Sequence, residues 1–213
     1  MADIFSFDDL FNNLQIDGPA ATMQLPDPDL AQYWEDLRNR IIWINDEITD
    51  EYLDFVSKII YWNRQDKGVP VEERKPIRIF FSSPGGSLDV QDTLVSMIKL
   101  SKTPIYGYAL GMVASAASLI FLSCHKRFAL PNAYFVFHKG SLSNLGGNYN
   151  EVQAAMEDYR KQVERMEKFY IENTTYPEEI VREKIKTDWY VHCDEAMKYN
   201  VITDLIEDIE VLL

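Results

Sequence analysis

Two short segments rich in glycine and serine carry the residue types of an acyl-transfer site. Residues 80–87 (FFSSPGGS) predict a buried strand that runs into a glycine turn. Residues 111–118 (GMVASAAS) predict a strand end that opens a helix, with Ser115 at the helix start. Glycines allow backbone N–H groups to approach a ligand, and a helix N-terminus favours developing negative charge. A serine nucleophile beside such donors indicates a serine hydrolase.

A catalytic serine needs a base, and the chain has three histidines: His125, His138 and His192. His125 stands in a basic turn and is expected at the surface, and His192 is a candidate for the capping region of a helix. His138 ends the apolar run 133–137, which predicts a strand. Because active groups of open α/β sheets gather at strand ends, His138 is the best candidate base. A purely structural histidine is the alternative.

The third member of such a site is a carboxylate that orients the imidazole. The chain has 34 acidic residues, so composition cannot choose among them. Asp188 is favoured because the Trp-Tyr-Val segment that follows it would bury this part of the chain. The alternative is that Asp188 caps a turn.

Composition excludes several other classes of protein. The net charge of −13 argues against nucleic-acid binding, which needs basic patches. No apolar run approaches the length of a membrane span, and the acidic N-terminus lacks the positive region of a signal peptide. Cys124 and Cys193 are expected to be reduced core thiols, and the compartment is expected to be the cytoplasm.

The pattern of the central chain predicts strands that alternate with helices, and therefore a largely parallel sheet built of βαβ units. The predicted strands are 40–44, 77–82, 104–110, 127–130 and 134–137, and the predicted helices are 29–40, 49–61, 88–100, 115–123, 149–172, one starting at Pro177, and 194–199. A polar loop is predicted over 62–76.

Two segments do not fit a compact α/β core. Residues 1–28 predict an arm with a short amphipathic element, either a docking segment or a frayed terminus; its apolar residues are Phe5, Phe7, Leu10, Phe11 and Leu14. The long helix 149–172 has an apolar face that one chain cannot cover, which indicates an oligomer.

Several motifs, in order along the chain, resemble the proteolytic subunit of the Clp protease. They are Ser83-Pro84-Gly85-Gly86-Ser87, Gly111 with Ala114-Ser115, Lys126-Arg127-Phe128 with Leu130-Pro131-Asn132, His138, and a C-terminal group made of Asp188, Glu195-Ala196, Tyr199 and Val201-Ile202. The resemblance covers about residues 29–206.

The resemblance implies an α/β fold, a ClpP/crotonase-like spiral of ββα units with a protruding handle for ring–ring contact. The handle, a long helix plus a glycine-rich strand, would span about 139–172. The protease domain would span 29–213, after the arm 1–28. It also implies Ser115 as nucleophile, His138 as general base and Asp188 as the orienting acid. The backbone N–H groups of Gly86 and Ala116 would form the oxyanion hole, without metal or cofactor.

The implied activity is that of a serine endopeptidase subunit in a self-compartmentalised ring protease. Unfolded polypeptides would be degraded inside two stacked seven-membered rings, fed by an ATP-dependent AAA+ unfoldase. The flanks of Ser115, His138 and Asp188 depart from the family pattern, which marks a divergent member.

Three alternatives stay open. One is a catalytically impaired ring or scaffold subunit. The second is a crotonase-type acyl-CoA enzyme, which shares the spiral architecture. The third is a serine–lysine peptidase with Lys102 or Lys139 as the base.

Overall fold

The computed structural model describes residues 28–140 and 146–212. The chain divides into two compact units, 1–35 and 36–213. Helix α1 (Pro28–Asn39) begins in the first unit, and every later element belongs to the second. The predicted arm lies outside the described residues except for Pro28, as do its five apolar residues, and the domain boundary after residue 28 stays a prediction.

Within residues 28–140 and 146–212, seven strands form one mixed sheet. Their bounds are β1 Ile41–Ile44, β2 Ile77–Ser83, β3 Ile105–Ala114, β4 Lys126–Ala129, β5 Tyr134–Phe137, β6 Trp189–His192 and β7 Asp204–Leu205. Strands β1, β2, β3, β4 and β7 are neighbours in that order, and all of these pairs are parallel. Strand β5 also pairs in parallel with the C-terminal end of β3, and β6 lies antiparallel to β5. The predicted α/β class with a largely parallel sheet is confirmed.

After α1, the described part of the chain contains six further α-helices. They are α2 Asp54–Gln65, α3 Leu88–Leu100, α4 Ala116–Leu122, α5 Tyr149–Asn173, α6 Glu178–Lys184 and α7 Cys193–Lys198. The predicted loop from residue 62 is wrong at its start, because α2 continues to Gln65 and buries Trp62 in the core. Pro177 is the N-cap residue of α6 rather than its first helical residue.

Successive residues of β2 enter two separate apolar clusters, as strand alternation requires. Ile79 and Phe81 belong to the main core, which also contains residues of α2, α3 and α4. Phe80 points to the opposite face and stacks between Trp43 and Tyr108, with ring centroids 4.7 and 5.0 Å away. The sheet therefore has a helix-covered face and an aromatic face.

Strand β3 ends four residues later than predicted, at Ala114. Its pairing with β2 is irregular: Phe81 is opposite Ala109, but Ser83 is opposite Val113. The extra residues of β3 form a bulge around Gly111, which moves the strand end towards β5. This bulge delivers the next residue, Ser115, to the edge where β5 also ends.

Helix α5 is confirmed, and a capping box fixes its start: Asn148 accepts hydrogen bonds from the first turn, and Glu151 bonds back to the Asn148 N–H. Its burial is uneven. Met166 and Tyr170 near its end are buried, whereas Tyr149 is 78% exposed and Met156 is 47% exposed. Residues 141–145 of the predicted glycine-rich strand lie outside the described residues, so the handle stays a prediction. No helix in the described ranges has the length and apolarity needed to cross a bilayer.

Candidate active site

Ser115 occupies a sharp turn between β3 and α4. Its backbone dihedrals, φ 54° and ψ −128°, are rarely adopted by a residue with a side chain, and such strain costs about 1–3 kcal/mol. Two hydrogen bonds hold this turn: the N–H of Ser115 donates to the Val136 carbonyl at 2.9 Å, and the carbonyl of Ser115 accepts from the Ser118 N–H at 2.9 Å. A strained strand-to-helix turn is a known way to expose a serine nucleophile.

Strand register brings His138 and Asp188 to the same place. Ala114 pairs with Val136 in the parallel β3–β5 ladder, so Ser115 and His138 both lie just beyond the carboxyl ends of neighbouring strands. In the antiparallel β5–β6 ladder, Phe137 pairs with Trp189. The next pair outward is therefore His138 with Asp188.

The three side chains form a connected line. His138 Nε2 lies 2.7 Å from Ser115 Oγ, and His138 Nδ1 lies 3.3 Å from Asp188 Oδ1. A carboxylate beside Nδ1 favours the tautomer with the proton on Nδ1, which leaves the Nε2 lone pair free to accept the Ser115 hydroxyl proton. The arrangement is that of a nucleophile, a base and an orienting acid.

The burial expected for Asp188 is wrong. Its side chain is 60% exposed, because Trp189 and Val191 point into the core while Asp188 lies at the open end of β6. The side chain of His138 is 25% exposed and that of Asp188 is more exposed, so water reaches the contact between His138 Nδ1 and the Asp188 carboxylate. The contact between His138 and Asp188 is therefore open to solvent, and it orients the imidazole mainly by hydrogen-bond geometry.

The glycine turn after β2 lies against the Ser115 turn. Gly85 and Gly86 have φ values of 97° and 150°, and Gly86 bridges to Ile48. A Cβ on Gly86 would meet the Ile48 carbonyl oxygen at 2.3 Å, so only glycine fits there.

Two backbone N–H groups near this turn are suited to be donors. Among the described residues, the Gly86 N–H makes no backbone hydrogen bond. Ala116 is the first residue of α4, where an N–H has no partner within the helix.

The other candidate bases lie elsewhere. His125 is exposed and accepts a hydrogen bond from the Ile105 N–H, and His192 is the N-cap residue of α7, as expected. Lys139 pairs with Glu167 at 3.3 Å. Lys102 lies in the segment after α3, and its backbone N–H donates to the Asn63 side chain. Within the described residues, the side-chain partner of the Ser115 hydroxyl is His138.

The sequence argument assigned no role to Ser118 or to the hydroxyl of Tyr170. The two hydroxyl oxygens lie 3.2 Å apart in the core beneath the site, and Ser118 Oγ donates to the Ser115 carbonyl at 2.6 Å. A tyrosine on the buried face of α5 is the signal that could have found them, because a buried phenol needs a hydrogen-bond partner.

Comparisons with known proteins show which family this chain is similar to. The family model described as Clp protease matches residues 29–208. The ATP-dependent Clp protease proteolytic subunit 2 of Treponema denticola is 32% identical over 136 residues, which are 63% of this chain and 68% of that protein. The ATP-dependent Clp protease proteolytic subunit of Paracoccus denitrificans is 29% identical over 140 residues, 65% of this chain and 70% of that protein.

A solved structure shares the fold. The structure of a ClpP1 mutant from Listeria monocytogenes superposes with a TM-score of 0.70 at 26% identity, covering 86% of this chain and 99% of that one. The predicted spiral α/β architecture is thereby confirmed at the level of the fold. Because the family model covers most of the chain, the protein belongs to the Clp protease family.

Proposed function

We propose that this chain is a serine endopeptidase subunit in which Ser115 is the nucleophile, His138 the general base and Asp188 the orienting acid. The observation that carries the proposal is the continuous line from Ser115 Oγ through the imidazole to Asp188, at 2.7 and 3.3 Å. The substrate class is extended, unfolded polypeptide. Strand edges near the site favour binding of such chains by β-augmentation.

Acylation begins when Ser115 Oγ attacks the carbonyl carbon of a peptide bond and His138 Nε2 takes the hydroxyl proton. The carbonyl oxygen becomes an oxyanion, which the backbone N–H groups of Gly86 and Ala116 would bind. Collapse of this intermediate breaks the carbon–nitrogen bond, and His138 returns its proton to the leaving amine. Asp188 stabilises the imidazolium in between.

Deacylation repeats the sequence with water. His138 removes a proton from a water molecule as its oxygen attacks the Ser115 ester, and the same backbone donors bind the second oxyanion. The carbon–oxygen bond to Ser115 breaks, and His138 returns the proton to Ser115 Oγ. The products are a carboxylic acid and the free enzyme. Protein groups supply every proton transfer in this cycle.

Assembly into rings is the second part of the proposal. The first half of α5 leaves Tyr149 and Met156 exposed in the single chain, and a second copy of the chain would cover them. The related subunits are named as ATP-dependent proteases, which supports an AAA+ unfoldase as the partner that delivers polypeptide. We propose two stacked seven-membered rings in the cytoplasm, with no nucleic acid bound.

Fluorophosphonate labelling followed by intact-mass measurement tests the chemistry. We expect one adduct per chain on the wild type and none on Ser115→Ala or His138→Ala. Native mass spectrometry of the same samples tests the assembly, with particles of seven or fourteen subunits expected.

Two results would contradict the proposal in different ways. An adduct that persists on Ser115→Ala would place the nucleophile elsewhere. No adduct on an assembled wild-type ring would instead support the impaired scaffold, since assembly would then exist without the chemistry.

A further inference from the structure

Tyr170 of α5 is a buried tyrosine that lies directly beneath the candidate active site. It is 1% exposed, and its ring packs on Phe137, the residue before His138, with ring centroids 4.7 Å apart. Its hydroxyl oxygen is 3.2 Å from Ser118 Oγ. Tyr170 therefore contacts both the strand end that carries the base and the helix that follows the nucleophile.

Ser118 connects this hydroxyl to the nucleophile's own backbone. Ser118 Oγ donates to the Ser115 carbonyl at 2.6 Å, and the Ser118 N–H donates to the same oxygen at 2.9 Å. The Ser118 hydroxyl has one hydrogen atom, and it donates this hydrogen to the Ser115 carbonyl oxygen. The Tyr170 hydroxyl must then be the donor in its bond with Ser118.

The Tyr170 hydroxyl is the first donor in this chain of hydrogen bonds. Burial raises the pKa of Tyr170 to about 12, while hydrogen bonding with Ser118 acts in the opposite direction. The donors run in one direction, from the Tyr170 hydroxyl to Ser118 and from Ser118 to the Ser115 carbonyl. On the side of the base, the Tyr170 ring packs on Phe137, the residue before His138.

Helix α5 contacts the residues after β5 at further points. The Tyr159 hydroxyl donates to the Lys139 carbonyl at 3.3 Å, and Lys139 Nζ pairs with Glu167 at 3.3 Å. The same helix thus borders Lys139, the residue that follows the base. Tyr170 is the member of this set that also reaches the nucleophile's turn.

We infer that Tyr170 and Ser118 are positioning residues that hold the strained Ser115 turn and the His138 strand end in register, and that they couple this register to helix α5. The inference rests on the proposed serine peptidase function and deepens it. Neither residue touches the reacting atoms. Ser118 acts through the Ser115 carbonyl, and Tyr170 acts through Ser118 and through Phe137, so their loss lowers the catalytic rate constant without weakening substrate binding.

The test uses the assembled full chain with Tyr170→Phe, Ser118→Ala and the double variant. Tyr170→Phe keeps the ring on Phe137 and removes only the hydroxyl. The readouts are the rate of Ser115 labelling by a fluorophosphonate, kcat and KM for a short fluorogenic peptide, and the thermal unfolding midpoint. We expect each single variant to lower the labelling rate and kcat by about fivefold to a hundredfold, with KM unchanged.

Ser123→Ala is the matched control for Ser118→Ala. Ser123 Oγ also donates to a carbonyl three residues earlier, that of Ile120, at 2.6 Å, and it is buried at the end of the same helix. Its removal costs a comparable hydrogen bond but leaves the site intact. We expect Ser123→Ala to keep the wild-type labelling rate and kcat.

The double variant separates positioning from general loss of stability. Because both hydroxyls belong to one chain of hydrogen bonds, the double variant should be no slower than the slower single variant. Wild-type labelling rates in Tyr170→Phe, or equal slowing by Ser118→Ala and Ser123→Ala, would overturn the inference. Absence of any labelling on the wild type would overturn the proposed function instead.

Discussion

Gly85 packs directly against Ser115. A Cβ placed on Gly85 would come within 2.6 Å of Ser115 Cβ and 2.7 Å of the Ala114 carbonyl oxygen. The φ of Gly85 is also 97°, which other residues rarely adopt. The glycine turn after β2 and the turn that carries Ser115 after β3 are therefore in close contact, so a displacement of one turn would displace the other.

Gly85→Ala should disable the site by displacing this contact. We expect Ser115 labelling to fall by on the order of a hundredfold, because a shift of about 1 Å in a reacting group costs that much. Gly68→Ala is the control, since Gly68 also has a positive φ, of 91°, but a Cβ there would meet nothing within 4 Å. The labelling rates of the two variants test this prediction. Equal rates would show that the contact between Gly85 and Ser115 does not position the nucleophile.

Asp188→Asn should reduce catalysis while leaving stability unchanged. The amide no longer selects the imidazole tautomer with the proton on Nδ1, and the equivalent change in a Ser-His-Asp protease costs about 10⁴-fold in rate. The side chain is 60% exposed, so the thermal midpoint should not move. Peptide hydrolysis rates and thermal melts measure both effects.

Asp194→Asn, an exposed aspartate six residues along the chain, serves as the control for this substitution. Full activity of Asp188→Asn would remove Asp188 from the site.

The buried pair Arg40–Asp66 should make folding stability depend on pH. Arg40 makes two hydrogen bonds to the Asp66 carboxylate, at 2.6 and 2.7 Å, and Thr103 donates a third at 2.7 Å. Hydrogen bonding from Arg40 lowers the pKa of Asp66, against the opposing effect of burial. We expect Asp66→Asn to cost about 1–3 kcal/mol of unfolding free energy at neutral pH, because it leaves the partly buried Arg40 without its charge partner.

The sign of the pH effect follows from the lowered pKa. The contribution of Asp66 is complete above the unfolded pKa of about 3.9 and is lost as pH falls through the lower folded pKa. In urea unfolding measured between pH 7 and pH 2.5, the difference in unfolding free energy between wild type and Asp66→Asn should therefore narrow only below about pH 4. Glu72→Gln, at an exposed position, should have the same unfolding free energy as wild type across this range. If the difference between wild type and Asp66→Asn did not change with pH, the lowered pKa of Asp66 would be contradicted.

Arg127 should be essential for stability although no carboxylate pairs with it among the described residues. Its buried guanidinium donates to the carbonyls of Val201, Asn200, Leu122 and Cys124. Burial lowers its pKa, but four hydrogen bonds from one planar guanidinium satisfy these carbonyls together. We expect Arg127→Leu to lower the unfolding free energy by more than about 2 kcal/mol, since buried acceptors lose their donors.

Arg127→Lys should rescue only part of this loss, because an ammonium cannot span both segments as the planar guanidinium does. Chemical denaturation of the three proteins measures the difference, and Lys184→Met controls for loss of an exposed cation. Full stability of Arg127→Lys would mean that charge alone, not the fork of donors, matters.

The gaps in the sequence prediction have physical causes. Trp62 lies in a stretch rich in polar residues, so local pattern indicates a loop, yet packing against the core extends α2 through it. The extra length of β3 depends on a bulge, which has no strong local signature. Asp188 is exposed because it lies just before the first residue of β6. The antiparallel pairing of β6 with β5 decides where β6 begins.

The amino-acid sequence by itself determined the alternation of strands and helices, the glycine turn, the choice of Ser115 and His138 as candidates, and the family. These properties are encoded in residue types and short spacings, because hydrophobic periodicity and turn chemistry are local. Tertiary structure alone decided that β5 and β6 bring His138 to Asp188 and that the strained turn presents Ser115 to His138. It also placed Tyr170 beneath both. Such contacts join residues that are 23 to 52 positions apart in sequence, so only the packed sheet brings them together.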